Sequence, residues 1–403
     1  MPHTRKRFLQ EVLMKATQLS PLVGVLGHRQ VGKTTLLEQV SQTYFTLDQK
    51  TELEEARQDP SGYIKSRQGH LVAIDECQTA PELFPALKDN VRINRKPGQF
   101  ILSGSVRFTS RKAIQESLTG RIINLELLPF TLAELEGENL SGFCEKWMKG
   151  ISFESLETQY QIDSKTFGRR EKLMHYYFNH GGLPGNCFIR DEKIRNLKIG
   201  EQLQTLLDRD LRMIQRTSLA LQDLLNLCSR LAEYQSQPIR YTQLQKETGI
   251  STPTLKKLIY ALEAVFILRT LRIEGGRSNQ TYFFEDQGEA QWLKTETTDP
   301  QAQFTHFCYT HLRTQFAYTP GLYTKTFQYR TRGGAFVPFV FANSTGHLGV
   351  IPLLDPADWK SVLSSANSFL KSYQNSRVII THPKQEFRLI QPRLLSAPIL
   401  AIL

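Results

Sequence analysis

One octapeptide constrains this chain more than any other feature of its 403 residues. Leu22-Val23-Gly24-Val25-Leu26 is short, apolar and strand-like, and it runs directly into Gly27-His28-Arg29-Gln30-Val31-Gly32-Lys33-Thr34. That octapeptide fits GxxxxGK[ST] at every fixed position, and a helix-like stretch, Thr35 to Val40, follows it. A strand, a glycine loop and a helix start in this order aim backbone N–H groups at an anion, and the glycines let the main chain approach phosphate oxygens closely. The loop Gly27 to Thr35 is therefore expected to cradle the phosphates of ATP. Lys33 would bridge the β- and γ-phosphates, and Thr34 would offer its hydroxyl to Mg²⁺. Adenine is favoured over guanine, because no NKxD follows: Asn94-Arg95-Lys96-Pro97 lacks the aspartate.

Further carboxylates fit the same chemistry. Leu71-Val72-Ala73-Ile74 reads as a buried parallel strand that ends in Asp75-Glu76. Acids at the carboxyl end of such a strand lie at the crevice where these sheets bind ligands, so Asp75 is a candidate Mg²⁺ ligand and Glu76 a candidate base for the attacking water. Phe100-Ile101-Leu102 forms another strand and leads into Ser103-Gly104-Ser105, where one serine, assigned to Ser103, would sense the γ-phosphate or orient water. Charge developing on the transferred phosphoryl group calls for a cation. Arg121, in Glu116-Ser117-Leu118-Thr119-Gly120-Arg121, is the candidate, acting in cis or across a subunit interface, with Arg29, Arg107 and Arg111 as competitors.

These segments also carry a resemblance. GHRQVGKTT, YFTLDQ with Asp59-Pro60 after it, HLVAIDECQ, PELFPALK, QFILSGS and ESLTGRI occur in the order seen in AAA-type P-loop ATPases of archaea and bacteria that have a winged helix and a C-terminal nuclease-like domain of unknown function. GGLPG at Gly181 to Gly185 and LLDRDL at Leu206 to Leu211 extend the likeness more weakly. The resemblance implies an α/β chain in three parts: a P-loop NTPase parallel sheet over residues 1–140, a helical linker plus winged helix over 141–290, and a restriction-endonuclease-like α/β domain over 291–403.

The middle part reads as a winged helix from its residues as well. Tyr241 to Thr248 has helical spacing, Gly249-Ile250 is a turn, and Ser251 with Pro253 marks a helix start. In the helix Thr252 to Ala264, Leu255, Leu258, Ile259 and Leu262 form one apolar face. Thr252, Thr254, Lys256, Lys257 and, in the wing, Arg277 are the candidate nucleic-acid contacts. Fifty Lys and Arg against 39 Asp and Glu, a net charge of +11, favour a polyanionic partner. A packing or dimerisation role for this module is the competing reading.

In the final third the expected order is strand Thr324 to Arg330, strand Ala335 to Phe341, strand His347 to Leu353, helix Ala357 to Tyr373 and strand Arg377 to Thr381. The resembling family carries an EVDF-type acidic motif on the second strand and EVK on the third, the groups a metal-dependent phosphodiesterase uses. Here the stretches are Ala335-Phe336-Val337-Pro338-Phe339 and Ile351-Pro352-Leu353, so the nuclease is expected to be degenerate. Pro338 and Pro352 predict edge or irregular strands. Asp355 and Asp358 are expected to cap a helix start. His175, His180, His306 and His311 lack the spacing and partners of a metal site.

Five scattered cysteines without a CxxC pair signal neither a disulfide framework nor a zinc cluster. No apolar run reaches the length of a membrane span, and the N-terminus has no secretory pattern. A cytoplasmic protein is expected, with ATP as ligand and with DNA, self-association or another protein as partner. Coupling of nucleotide state to conformational change leads the functional readings. A nucleotide-gated DNA-binding regulator or scaffold with negligible turnover is the first alternative, and a nuclease is the second.

Overall fold

A computed structural model describes residues 5–108, 120–274, 279–295, 299–319 and 324–403. The chain divides into two compact units, each assembled from separated stretches: Met1–Phe130, Leu183–Leu221 and Lys257–Ile267 in the first, and Thr131–Gly182, Gln222–Lys256 and Leu268–Leu403 in the second.

The first unit is built on five parallel strands: β1 Leu22–Leu26, β2 Thr43–Thr46, β3 Val72–Asp75, β4 Phe100–Gly104 and β5 Ile122–Glu126. Their spatial order is β2-β3-β4-β1-β5. β1, β3 and β4 are buried along their whole length, which is why they read as unbroken apolar runs and not as alternating ones. Leu22, Leu26, Ile74, Phe100 and Leu102 share a core with Leu83, Phe84 and Leu87 of the helix Leu83–Ile93. Because β4 lies between β1 and β3, the carboxyl ends of these three strands open side by side at one end of the sheet.

In the second unit a small antiparallel sheet, β6 Pro238–Arg240, β7 Leu268–Arg272 and β8 Asn279–Phe284, is ordered β6-β8-β7. A larger mixed sheet contains β9 Lys325–Arg330, β10 Phe336–Asn343, β11 Gly346–Pro352, β12 Ser376–His382, β13 Arg388–Gln391 and β14 Leu394–Pro398. Its order is β13-β14-β12-β11-β10-β9. β9, β10 and β11 form an antiparallel meander, and the helix Trp359–Ser372 then crosses over to β12, which is parallel to β11. Alternation divides the side chains between two cores. Phe339, Phe341, Leu348, Val350 and Ile379 face one, together with Phe304, Phe307, Leu312 and Phe316 of the helix Pro300–Tyr318. Val340, Ile351, Val378 and Ile380 face the other, with Ala366, Phe369 and Leu370.

The proline expectation holds in part: β10 is irregular at Pro338, but the edge alternative needs a correction. β10 is an interior strand paired on both sides, and so is β11, so neither is an edge. Pro338 is accommodated by a register shift between Val337 and Val340, which puts these two valines in the same core although they are three apart. Pro352 is the last residue of β11, where a missing N–H disturbs the ladder least.

Candidate nucleotide site

Backbone geometry sets up the phosphate loop. Gly27 follows β1 with the Leu127 carbonyl so close that a Cβ there would collide with it. Gly32 takes a left-handed φ of 97° and caps the helix Lys33–Val40 without a side-chain acceptor on the helix's first N–H groups. The loop closes on its own lysine: Lys33 Nζ, buried, donates to the carbonyls of Gly27 at 3.1 Å and His28 at 3.0 Å. Burial pulls the Lys33 ammonium below the usual lysine range, and the charges of Glu76 and Asp75 act against that pull.

Asp75, 2 % exposed at the end of β3, is the hub of the site. Its Oδ2 accepts from the Thr34 hydroxyl at 2.7 Å and from the Tyr44 phenol of β2 at 2.8 Å. Oδ1 accepts from the Ser103 hydroxyl of β4 and from the Glu76 N–H at 3.0 Å. A carboxylate beside a threonine hydroxyl is a hard-oxygen donor pair of the kind Mg²⁺ takes. Glu76 has a left-handed φ of 57°, uncommon for a residue with a side chain. Burial raises the Glu76 carboxyl above the usual glutamate range, while Lys33 opposes the shift. Gln78 donates to Glu76 and, at 3.1 Å, to Ser105, whose hydroxyl lies 3.4 Å from the same Glu76 oxygen. The serines at the end of β4 and just after it thus divide their contacts: Ser103 engages Asp75 and Ser105 engages Glu76.

The remaining loop residues are engaged by the stretch Leu183–Leu221 of the same unit. Arg29 Nε donates to Asp210 Oδ2 at 2.7 Å, and Gln202, itself held by Asn186 at 3.0 Å, lies 3.4 Å from His28 Nδ1. Gly185 abuts the Gln30 side chain closely enough to leave no room for a Cβ. Arg7 donates to the carbonyls of Val31, at 2.7 Å, and Leu128, and its guanidinium lies 4.3 Å from the Phe130 ring centre. Thr35, one residue into the helix after Thr34, is exposed.

Arg121 requires a correction. The register pairs Leu22 with Ile122 and Leu26 with Glu126, so Arg121 stands beside the start of β1, whereas the phosphate loop leaves its end. Five strand residues amount to roughly 16 Å, more than an arginine side chain spans, and Arg121 does not serve its own chain's loop. Of its competitors, Arg111 lies outside the described residues, Arg107 donates to the Glu263 carbonyl at 3.1 Å and pairs with Glu126, and Arg29 is in the loop itself. Tyr44, Gln78, Gln202 and Asp210 were not singled out from the sequence. Tyr44, Gln78 and Asp210 do fall within YFTLDQ, HLVAIDECQ and LLDRDL, segments that carried the resemblance.

Among the nucleic-acid candidates, Lys256 and Lys257 are exposed on the helix Thr252–Ala264, as is Tyr260. The Thr252 hydroxyl donates to Gln245 at 2.7 Å, and Thr254 is 2.9 Å from Ser251. Arg277 lies outside the described residues. In the larger sheet Pro338, Ile351, Pro352 and Leu353 line a cleft of about 300 Å³ together with Asp299 and Asp358. Asp355 accepts from the Ala357 N–H at 2.8 Å at the helical turn Pro356–Asp358. His306 and His311 bond to the backbone carbonyls of Phe284 and Phe307, and His180 bonds to that of Tyr176 and stacks on its ring. No described helix is long and apolar enough to cross a membrane.

Residues 19–136 match the model of an AAA domain, and residues 171–275 match that of a domain of unknown function. Uncharacterized proteins of Mycobacterium bovis and Mycobacterium tuberculosis are each 24% identical over 262 residues, 64% of this chain and 51% of theirs. The chain spans about half the length of these curated relatives. Among solved structures, a Walker-type ATPase of Pyrococcus abyssi is 15% identical with a TM-score of 0.39, over 70% of this chain and 94% of that one. A signal transduction ATPase of Pyrococcus horikoshii with a tetratricopeptide repeat sensor is 13% identical with a TM-score of 0.28, over 78% and 47%. The first unit thus carries an AAA-type P-loop domain with a five-stranded parallel sheet, a nucleotide-binding fold of the ATPase type.

Proposed function

We propose that the chain binds Mg·ATP at the carboxyl ends of β1, β3 and β4, hydrolyses it, and passes the change in phosphate state to the rest of the protein. One observation carries this reading: the Thr34 hydroxyl, the Asp75 carboxylate and the raised Glu76 carboxyl converge beside the loop that holds Lys33. Thr34 and Asp75 are the residues that would hold Mg²⁺, which when bound offsets charge on the phosphate oxygens. The loop N–H groups and Lys33 hold the phosphates. Lys33 exchanges its two carbonyl partners for phosphate oxygens as the loop opens. Glu76, oriented by Gln78 and Ser105, takes the proton of the attacking water, and a carboxyl raised by burial is better matched to that task at neutral pH. Tyr44 and Ser103 keep Asp75 in place.

In the fuller form of this proposal, residues 141–290 hold a winged helix that contacts DNA through Lys256 and Lys257, and residues 291–403 hold a restriction-endonuclease-like domain that has lost its acids. The exposure of both lysines and the apolar residues at Pro338, Ile351 and Leu353 support these parts. Phosphate release and calorimetric nucleotide binding, each measured on wild type and Glu76→Gln, test the core reading. Glu76→Gln is expected to keep its affinity for ATP and to lose about 10²- to 10⁴-fold in turnover. Wild-type turnover in Glu76→Gln would remove the glutamate from the mechanism, and wild type that binds no nucleotide would end the proposal.

A further inference from the structure

Arg29 occupies an unusual place for the partner of a buried carboxylate. It lies inside the phosphate loop, two residues after Gly27 and four before Lys33, yet its guanidinium is turned to Asp210 at 2.7 Å. Asp210 is 1% exposed and ends a π-helical turn, Leu206–Asp210, set between the α-helices Glu192–Thr205 and Leu211–Ile214. Such turns are rare and concentrate at functional sites. Burial opposes the charge on Arg29, and the hydrogen bond and charge of Asp210, with Glu76 and Asp48 adding to them, outweigh it. The charge of Arg29 also acts on Lys33. The guanidinium therefore sits within electrostatic range of both the lysine and the glutamate of the proposed reaction. Two further contacts run from the same stretch to the same loop, Gln202 to His28 and Gly185 to Gln30.

We propose that Arg29 is the cation that reads the γ-phosphate in cis, and that Asp210 is its positioning residue, so that the terminal phosphate of ATP and the 206–214 segment compete for one guanidinium. This rests on the nucleotide reading above. Withdrawal of Arg29 does not leave Asp210 buried without a cation, because Arg209 Nε lies 3.2 Å from its other oxygen. The exchange thus avoids the uncompensated buried charge that makes broken ion pairs so unfavourable. ADP, lacking the third phosphate, leaves the pair closed. ATP opens it and frees the π-helical turn to repack, which makes the segment a reporter of the phosphate state.

The test compares calorimetric affinities for Mg·ADP and Mg·AMP-PNP in the full chain for wild type, Arg29→Gln, Asp210→Asn and the double variant, with hydrogen exchange followed across 206–214. Asp210→Asn is expected to tighten AMP-PNP at least about fivefold while ADP affinity stays within about twofold. Arg29→Gln is expected to weaken AMP-PNP selectively, and the double variant to behave like Arg29→Gln. In wild type, AMP-PNP should speed exchange in 206–214 relative to ADP, a readout that needs no variant to fold. Equal shifts for both nucleotides, or exchange in 206–214 that ignores the γ-phosphate, would overturn the proposal. Wild type that binds neither nucleotide would instead refute the nucleotide reading on which it stands.

Discussion

Replacing Lys33 by alanine separates a phosphate-binding lysine from a structural one. The Lys33 ammonium is buried and donates to two loop carbonyls, so the substitution removes two hydrogen bonds from the loop as well as the proposed contact to ligand. Water can replace the ammonium at carbonyls beside a site that admits a nucleotide, so the effect on folding should be small. The effect on binding should not. A hydrogen bond from a charged donor is worth about 1.5–3 kcal/mol net, and the wild-type lysine must first give up its carbonyls, so one such bond is a fair net value. At about 1.4 kcal/mol per decade that is a loss of roughly 10- to 150-fold in affinity for Mg·ATP. Calorimetry or a fluorescent ATP analogue measures it, with a thermal melt as the control for folding. An affinity within about twofold of wild type, in a variant that melts normally, would refute the assignment of Gly27 to Thr35 as the phosphate loop. A variant that melts much earlier would show that the two carbonyl bonds, and not the ligand, are what Lys33 serves.

The other predictions concern the neighbours of that loop and the second unit. Tyr44→Phe keeps the ring but takes one donor from the buried Asp75, and should lower the stability of the first unit by about 1.5–3 kcal/mol in thermal or denaturant unfolding. Exchanging Lys256 and Lys257 for Glu should abolish salt-sensitive binding to duplex DNA while leaving ATP turnover intact; binding that survives the exchange, or that ignores salt, would remove this helix as the contact. Burial pushes His306 down to about 4 and His311 to about 3, whereas both titrate near 6.5 once unfolded. Between those limits the unfolded chain binds protons that the folded chain does not, so stability falls as pH drops from 6.5 toward 4, by about 1.4 kcal/mol per pH unit for each histidine. His311 also accepts the Leu132 N–H at 3.1 Å through Nε2 while Nδ1 donates to Phe307, so a proton on Nε2 would face a donor. Unfolding midpoints of the second unit that are flat from pH 7 to pH 4.5 would count against this.

What could be read from the sequence depended on whether the chemistry needs neighbours in the chain. A phosphate loop requires its glycines, lysine and threonine at fixed separations, and the sheet that carries it is buried on both faces, so β1, β3 and β4 stand out as short apolar runs ending in Gly27, Asp75 and Ser103. The helix Thr252–Ala264 was legible because one face repeats Leu255, Leu258, Ile259 and Leu262. In the larger sheet of the second unit the strands were legible from their β-branched and aromatic composition, but their place in the sheet was not. Proline suggested an edge or an irregular strand without deciding between them, and a register shift, which leaves no mark in composition, is what lets Pro338 sit in an interior strand.

Residues that act through space left no such trace. Tyr44 and Asp75 are 31 residues apart, and Arg29 and Asp210 are 181 apart; each pair meets because of how the first unit is assembled. For a role in cis Arg121 shows the reverse error, since nearness in a motif map is not nearness in a sheet. In a parallel sheet each strand starts at the end opposite its neighbours' carboxyl termini, so an arginine just before β5 must lie away from a loop that follows β1. The same rule finds the better candidates. Cations able to meet a phosphate here must follow β1, β3 or β4, or come from a segment packed over those ends. Arg29 follows β1 directly, and the stretch Leu183–Leu221 packs against His28, Arg29 and Gln30, the variable positions of the loop. Their side chains are free to differ among phosphate loops because they do not supply the backbone cradle, and they are where a particular protein can attach the state of its nucleotide to something else.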